Sequence, residues 1–472
     1  MKEKRVIKRF SMYYGVLLIG VLLIGCKNLG DSKPKPDVGS SQDGVTAEIL
    51  VDTNDEVDIS PRLFGVDNDW RRITDANYIP FAQALEGINY TQIRFPGGWE
   101  SEYYDWKENS TPGWPNTPEE PGASIGTVKS TDPPNINIVI PTTPAMNEVL
   151  FSPEWSAGIQ LCKDRADDAI NLTGQNNITE VEIGNEWWLQ GAGGVSDEEK
   201  LIKYAEIAKR IAAHVKQTYP SAPFKLLVNG DYAKPSGFTV INEIFGEDLQ
   251  YIDGAALHPY AGYDDPEYSI DSLSTWFGQC RQNLGKDYLH LSEWAPSKAY
   301  NDQKKYAQSA NVLIGMVHEF ARTGSAAATY WPPTNSGIPG LGLFNEPFTV
   351  VWPNGQLFRD LSANYKGKAL LTTSAGNVRA IAAKNDQNQL VVYVAGFENP
   401  TTLVQLNVVG STIAGVSSTK LFAPGNPDDT AEAIPMQEID NPKYTKTQAG
   451  YEFILNENSG YTIYRLILDL GT

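Results

Sequence analysis

Residues 178–219 read ITEVEIGNEWWLQGAGGVSDEEKLIKYAEIAKRIAAHVKQTY. A β-branched run, Ile178 to Ile183, gives way to a glycine-containing loop and then to apolar residues at helical spacing. From Asp197 to Tyr219 the apolar positions are Leu201, Ala205, Ala208, Ile211, Ala212 and Val215. Ser196-Asp-Glu-Glu199 just before them has the form of a capping box, which satisfies the free N–H groups of a first helical turn. The stretch therefore predicts one strand followed by one helix.

The same unit recurs on both sides. Short apolar or β-branched runs stand at Leu63–Val66, Thr91–Phe95, Ile136–Ile140, Lys225–Val228, Gly254–Leu257, Tyr288–Leu291 and Ala326–Tyr330. Loops and helical periodicity follow them, most clearly from Gln303 to Arg322. Eight such units over residues 59–367 fit an α/β fold of the (β/α)8 TIM-barrel kind, which usually takes ~250 residues. A doubly wound open sheet is the rival reading. It usually has fewer units and often a glycine-rich first turn, which this chain lacks.

Beyond Gly367 the character changes. Val378–Ala383, Leu390–Ala395, Leu403–Val409, Thr419–Phe422, Tyr451–Leu455 and Tyr461–Leu468 read as strands with no helices between them. They predict a C-terminal antiparallel β-sandwich over residues 368–472. The run Ala47–Val51, within residues 46–58, is expected to join it.

The chain has 472 residues, of which 41% are hydrophobic and 20% charged, a composition that folds. Its net charge is −19, and −23 once residues 1–26, with five basic side chains and one acidic, are set aside. A nucleic-acid partner is not expected, because binding phosphates takes clustered Lys and Arg. Lys2, Lys4, Arg5, Lys8 and Arg9 precede an apolar run, Val16 to Gly25, too short to span a bilayer. It ends in Leu23-Ile-Gly-Cys26, which resembles a bacterial lipoprotein signal with Cys26 as the lipidated residue; a plain secretory signal is the alternative. Residues 27–45 read as a polar, flexible tether. The expected location is therefore the cell envelope, with membrane contact only through the lipid.

The remaining cysteines, Cys162 and Cys280, are expected as buried free thiols. The four histidines are not at metal-ligand spacing, and no CxxC, HExxH or phosphate loop occurs. No metal and no cofactor are expected.

In a (β/α)8 barrel the chemistry sits at the C-terminal strand ends. Here those ends carry Arg94-Phe-Pro-Gly-Gly98, Glu182-Ile-Gly-Asn-Glu186-Trp-Trp188, Leu257-His-Pro-Tyr260, Leu291-Ser-Glu293-Trp294 and Tyr330-Trp331. Glu186 and Glu293 end strands four and seven, which face each other across the mouth. A pair of carboxylates so placed suits glycoside hydrolysis: one protonates the leaving oxygen and the other attacks or stabilises the oxocarbenium-like carbon. Arg94 is a candidate to hold the nucleophile ionised, with Glu182 as a rival partner one layer deeper. His258 and Tyr260 are candidates to hydrogen-bond the nucleophile or the sugar. Trp331, Trp99 and Trp187 are candidate sugar-facing aromatics, although such Trp residues also serve as barrel wall.

These strand ends resemble clan A of the glycoside hydrolases, whose members are retaining enzymes on this barrel. The resemblance implies Glu186 as acid/base, Glu293 as nucleophile and Asn185 as a ligand of the sugar 2-hydroxyl. Ile59-Ser-Pro-Arg-Leu-Phe-Gly65, Arg94-Phe-Pro-Gly-Gly98 with Tyr104-Asp-Trp106, and Glu182-Ile-Gly-Asn-Glu186 are similar to family 51 α-L-arabinofuranosidases. Families 39, 79 and 30 share parts of the pattern. The sequence departs from family 51 at Val66-Asp-Asn-Asp69, at Trp99 and at Ser292-Glu-Trp-Ala295, so the sugar stays open. The implied substrate is a plant or algal polysaccharide or its oligosaccharides. A carbohydrate-binding lipoprotein without catalysis and a polysaccharide lyase are the rival functions. The long segment from Lys107 to Asn135 is expected either to close one end of the cleft or to line a groove.

Overall fold

The structure, a computed structural model, describes residues 45–190, 195–262, 268–297, 306–334, 341–397, 402–424, 435–447, 450–455 and 460–471. Cys26, the signal, nearly all of the tether and the Gly191–Gly194 loop lie outside the described residues. No helix among the described residues is long and apolar enough to cross a membrane.

The barrel strands are β2 (Gly65–Asp67), β3 (Ile93–Phe95), β4 (Ile136–Ile140), β5 (Ile178–Ile183), β6 (Lys225–Gly230), β7 (Gly254–Leu257), β9 (Tyr288–Pro296) and β10 (Ala327–Tyr330). A two-residue strand β8 (Tyr260–Ala261) pairs with the end of β9. Neighbours run parallel in chain order. Pairing of β10 with both β9 and β2 closes the ring, as the eight-unit reading requires. The open-sheet alternative is thereby set aside.

Helix α1 (Tyr78–Gly87) follows β2, a short helix Ile125–Ser130 follows β3, and α2 (Pro153–Thr173), α3 (Asp197–Thr218), α4 (Gly237–Phe245), α5 (Leu273–Leu284), α6 (Tyr306–Arg322) and α7 (Pro353–Asn364) follow β4, β5, β6, β7, β9 and β10 in turn. Helix α3 shows why its sequence folds so. Ser196 Oγ accepts the Glu199 N–H at 3.2 Å, completing one half of the capping box. Ala205, Ala208, Ile211, Ala212 and Val215 are buried on one face. Burying a side chain of the size of Ile or Val is worth ~1.5–3 kcal/mol, so this stripe fixes the helix against the sheet.

Among the described residues the second sheet has ten strands, in the order β16-β15-β19-β13-β12-β11-β1-β14-β18-β17. They are β1 (Val45–Asp58), β11 (Lys368–Ala375), β12 (Val378–Lys384), β13 (Gln389–Gly396), β14 (Thr402–Val409), β15 (Ile413–Ala423), β16 (Gln437–Asp440), β17 (Tyr444–Lys446), β18 (Tyr451–Ile454) and β19 (Ile463–Leu470). Strand β1 joins it as expected, antiparallel to β11 and, unlike the other pairs, parallel to β14. The sheet folds over its own core, in which Ile49, Val51, Val392, Val404, Phe453 and Leu466 meet. Strand β13 is buried on both faces. Leu390, Val392 and Val394 enter this core, while Val391, Tyr393 and Ala395 pack against the barrel. Across the same junction, Arg465 of β19 donates to Asp360 of α7 at 2.8 Å, and Tyr393 donates to Asp360 at 2.6 Å. Cys162 and Cys280 are buried free thiols.

Candidate active site

The mouth of the barrel gathers the strand-end residues that the sequence singled out. Strand β5 ends at Ile183, and the chain then turns through Gly184 (φ 80°) and Glu186 (φ 48°), both left-handed. A non-glycine residue rarely adopts this conformation, and it persists where the surroundings over-determine it. Here Asn229, at the end of β6, accepts the Glu186 N–H at 2.9 Å. Glu102, wholly buried, accepts the Asn185 N–H at 2.5 Å and the Thr142 and Thr143 N–H groups at 2.8 and 2.7 Å. Two side chains thus clamp the backbone on either side of the Asn-Glu pair.

Glu186 and Glu293 face each other with His258 between them, and the nearest ligand atoms of the three groups all lie within 4.8 Å of one another. Glu186 is partly exposed, its side chain 19% accessible, whereas Glu293 is buried. Tyr260 donates its hydroxyl to Glu293 Oε1 at 2.5 Å. Burial pushes Tyr260 well above the usual phenol range, aided by the charges of Glu293 and Glu186, so it remains a donor.

His258 lies 3.2 Å from Glu186 through Nδ1 and 3.3 Å from Glu182 through Nε2. The sequence reading gave it to the nucleophile or the sugar. Instead its close partners are Glu186 and Glu182, with Glu293 at 3.9 Å. Burial opposes its charge, but Glu293, Glu182 and Glu186 outweigh burial and raise the imidazole to about 10. In the protonated state both ring nitrogens are donors, Nδ1 toward Glu186 and Nε2 toward Glu182.

Arg94 reaches both of the partners weighed for it, Glu182 and Glu293. Its Nε donates to Glu182 at 2.9 Å and its Nη2 to Asn185 Oδ1 at 2.6 Å. Its Nη1 reaches Asp67 at 2.7 Å and Glu293 at 3.2 Å. Burial works against its charge, yet Glu182, Asp67 and Glu293 keep it raised and ionised. Burial likewise opposes ionisation of Glu182, but Arg94 and His258 hold it at about 2. Glu293 is raised, by burial first and by Glu186, against the pull of His258, Arg94 and Tyr260. The guanidinium is shared among three acids, so Arg94 alone does not set the state of Glu293.

Asn185 spends its Oδ1 on Arg94, and its buried Nδ2 has no hydrogen-bond partner among the described residues. Such an orphaned donor is costly unless a ligand meets it. Trp331 stands edge-on to Tyr260, with ring centroids 6.3 Å apart, and its indole nitrogen lies 3.4 Å from where a Cβ on Gly98 would sit. Trp99 is 42% exposed at the start of a 3-10 turn, Trp99–Glu102. Trp187 corrects the sequence reading. It is nearly enclosed, stacked on Tyr204 at 5.3 Å, and its Nε1 donates to the Asn229 carbonyl at 3.0 Å. It is wall packing.

Residues that the sequence reading missed are Asp67, Glu102 and Asn229. Asn229 directly follows the Lys225–Val228 run, so its strand-end position was a usable signal. Glu100 and Asp69 form a second acidic wall beside the mouth. Burial, then Asp69, pushes Glu100 up to about 8, with Arg71 at 3.6 Å pulling the other way. Burial raises Asp69 to about 6 against Arg72 and Arg71. The Lys107–Asn135 segment is pinned by Asn109, which accepts from Trp70 Nε1 and Tyr104 and donates to the Gly122 carbonyl.

No protein-family model matches the sequence, and no curated protein matches it. Solved structures do. A family 51 arabinofuranosidase from Xanthomonas axonopodis pv. citri matches at 13% identity and TM-score 0.64, covering 90% of this chain and 100% of its own. A family 51 α-L-arabinofuranosidase from Bifidobacterium longum matches at 13% identity and TM-score 0.65, covering 90% and 99%. A glycoside hydrolase family 44 endoglucanase from Clostridium acetobutylium matches at 13% identity and TM-score 0.58, covering 90% and 99%. At this identity the likeness is one of fold: a closed parallel barrel with a separate, mostly antiparallel sheet domain.

Proposed function

We propose that the protein is a retaining glycoside hydrolase acting on a plant or algal polysaccharide or its oligosaccharides. The observation that carries this reading is the Glu186–Glu293 pair, with oxygens within 4.8 Å. Retaining enzymes hold their carboxyls ~5–5.5 Å apart, and inverting ones ~6.5–9.5 Å to admit a water. Family 51 and family 44 folds support the class; the strand-end motifs leave the sugar open, with an α-L-arabinofuranoside as one candidate.

Glu293, oriented by Tyr260 and Arg94, attacks the anomeric carbon. Glu186, exposed toward solvent, gives its proton to the departing oxygen, and His258 holds its carboxyl in place. The free Nδ2 of Asn185 is placed to donate to a sugar hydroxyl, and Trp331 gives the ring an apolar face. Glu186 then takes a proton from the water that releases the glycosyl-enzyme. Anchoring through a lipid on Cys26, at the cell envelope, completes the reading.

The test is a panel of aryl glycosides with the anomer of the first-formed product read by NMR. Retention agrees with the pair's spacing. An inverted product would remove the nucleophile from Glu293.

A further inference from the structure

Among the described residues, the acidic groups linked to Arg94 and His258 are four carboxyls, those of Asp67, Glu182, Glu186 and Glu293, with only these two cations. Glu186 is partly exposed, but Asp67, Glu182 and Glu293 are buried, and an uncompensated negative charge among these three carries a large desolvation cost. Against the two cations, neutrality of the set places protons on two of the four carboxyls. In the proposed reaction Glu186, as the acid, holds one.

The donors decide where the other resides. Glu182 receives Arg94 Nε, Asn229 Nδ2 at 2.8 Å and Ser292 Oγ at 3.0 Å, with His258 beside it. Glu293 receives Tyr260 and Arg94, with His258 nearby. Among the described residues, Asp67 receives only Arg94, on Oδ2, and its buried Oδ1 has no hydrogen-bond partner. That oxygen lies beside the Asn68 carbonyl oxygen: a Cβ on Gly97 would meet them at 2.1 and 1.8 Å. The orphaned oxygen is thus the one that lacks a donor and has an acceptor close by. The charges facing Asp67 are Arg94 from β3, Glu182 from β5 and Glu293 from β9.

We infer that Asp67 is a positioning residue that carries the second proton of the cluster, leaving the shared Nη1 of Arg94 to Glu293. The nucleophile then stays ionised although it is buried among acids. This rests on the roles proposed for Glu186 and Glu293. Burial and the charges of Glu293 and Glu182 raise Asp67 well above the carboxylate range in the face of Arg94, which agrees in direction.

The experiment pairs two measurements on the full chain. Infrared difference spectra without substrate should show a neutral-carboxyl C=O stretch that Asp67→Asn abolishes and that is separable from the one removed by Glu186→Gln. On an active aryl glycoside, Asp67→Ala should lower kcat by about 100-fold, and Asp67→Asn, neutral and of the same shape, should restore it to within about 10-fold of wild type with its acidic pH limb in place. An unchanged carboxyl band in Asp67→Asn would show Asp67 ionised and overturn the inference. So would a folded Asp67→Asn that is as inactive as Asp67→Ala. The infrared result needs no turnover, so a protein that cleaves no glycoside would refute the proposed function without touching the proton's location.

Discussion

Tyr260 donates to Glu293 across 2.5 Å, from a residue just beyond β7 to one within β9. The bond takes the Oε1 lone pair, while Arg94 holds Oε2. The carboxylate is therefore fixed in rotation by two donors from different strands. Tyr260→Phe removes one of them without emptying the space. A hydrogen bond to a charged group is worth ~1.5–3 kcal/mol, so kcat is expected to fall by roughly 10- to 150-fold. KM should change little, because the hydroxyl acts on the proposed nucleophile, Glu293. A large rise in KM at constant kcat would assign Tyr260 to the sugar instead.

The two glutamates are separable by azide. In Glu186→Ala an aryl glycoside with a good leaving group should still form the glycosyl-enzyme, since it needs little protonation. Azide needs no base and should restore turnover, giving the azide of retained configuration. In Glu293→Ala azide should attack the opposite face and give the inverted product. The reverse pattern would exchange the two roles.

Glu100 has a signature in stability. Its folded value of about 8 lies above that of an unfolded Glu, so between roughly pH 4.3 and 8 the folded state binds more protons than the unfolded one. Its contribution therefore declines as pH rises through that window. Glu100→Gln should remove the decline and raise Tm relative to wild type at pH 8 and above, while differing little at pH 4. Thermal unfolding across pH checks this, and a Tm difference independent of pH would contradict it.

The anchor is tested by detergent phase separation. Wild-type protein expressed with residues 1–26 should enter the detergent phase, and Cys26→Ser should stay aqueous or unprocessed. Wild type found in the aqueous phase would end the lipid reading.

The barrel was legible because its strands are buried on both faces, whereas helices such as α3 are buried on one. Largely apolar runs such as Ile136–Ile140, broken only by Asn137, therefore stand out from amphipathic ones such as 197–218. The two carboxylates were legible for a geometric reason: residues at strand ends converge on one mouth. What escaped is what convergence cannot reveal. Glu102 belongs to a turn 83 residues from the Asn185 N–H that it accepts, and nothing local in Trp99-Glu-Ser-Glu102 names that partner. Asp67 sat in view as a departure from a familiar motif, yet its role depends on Arg94 and Glu293 reaching it from other strands. Trp187 misled because an aromatic beside a catalytic residue looks the same in sequence whether it faces the mouth or the wall. Strand β11 was missed because Lys368–Ala375 buries only Ala369 and Leu370 and leaves the rest at least partly exposed, so no alternation or apolar run marks it.

The place of β1 between β11 and β14 sets an order of assembly. Lys368, the first residue of β11, is made some 310 residues after Asp58, the last of β1. At about 5–20 residues per second, β1 waits on the order of 15–60 s on the ribosome for either neighbour to exist. Through that interval it offers two open edges and the side chains of Ala47, Ile49 and Val51, the kind of segment that pairs with the wrong chain. The barrel can close in the meantime, since its strands pair in the order in which they are synthesised. The earliest described strand is thus placed only once β11 has followed the barrel.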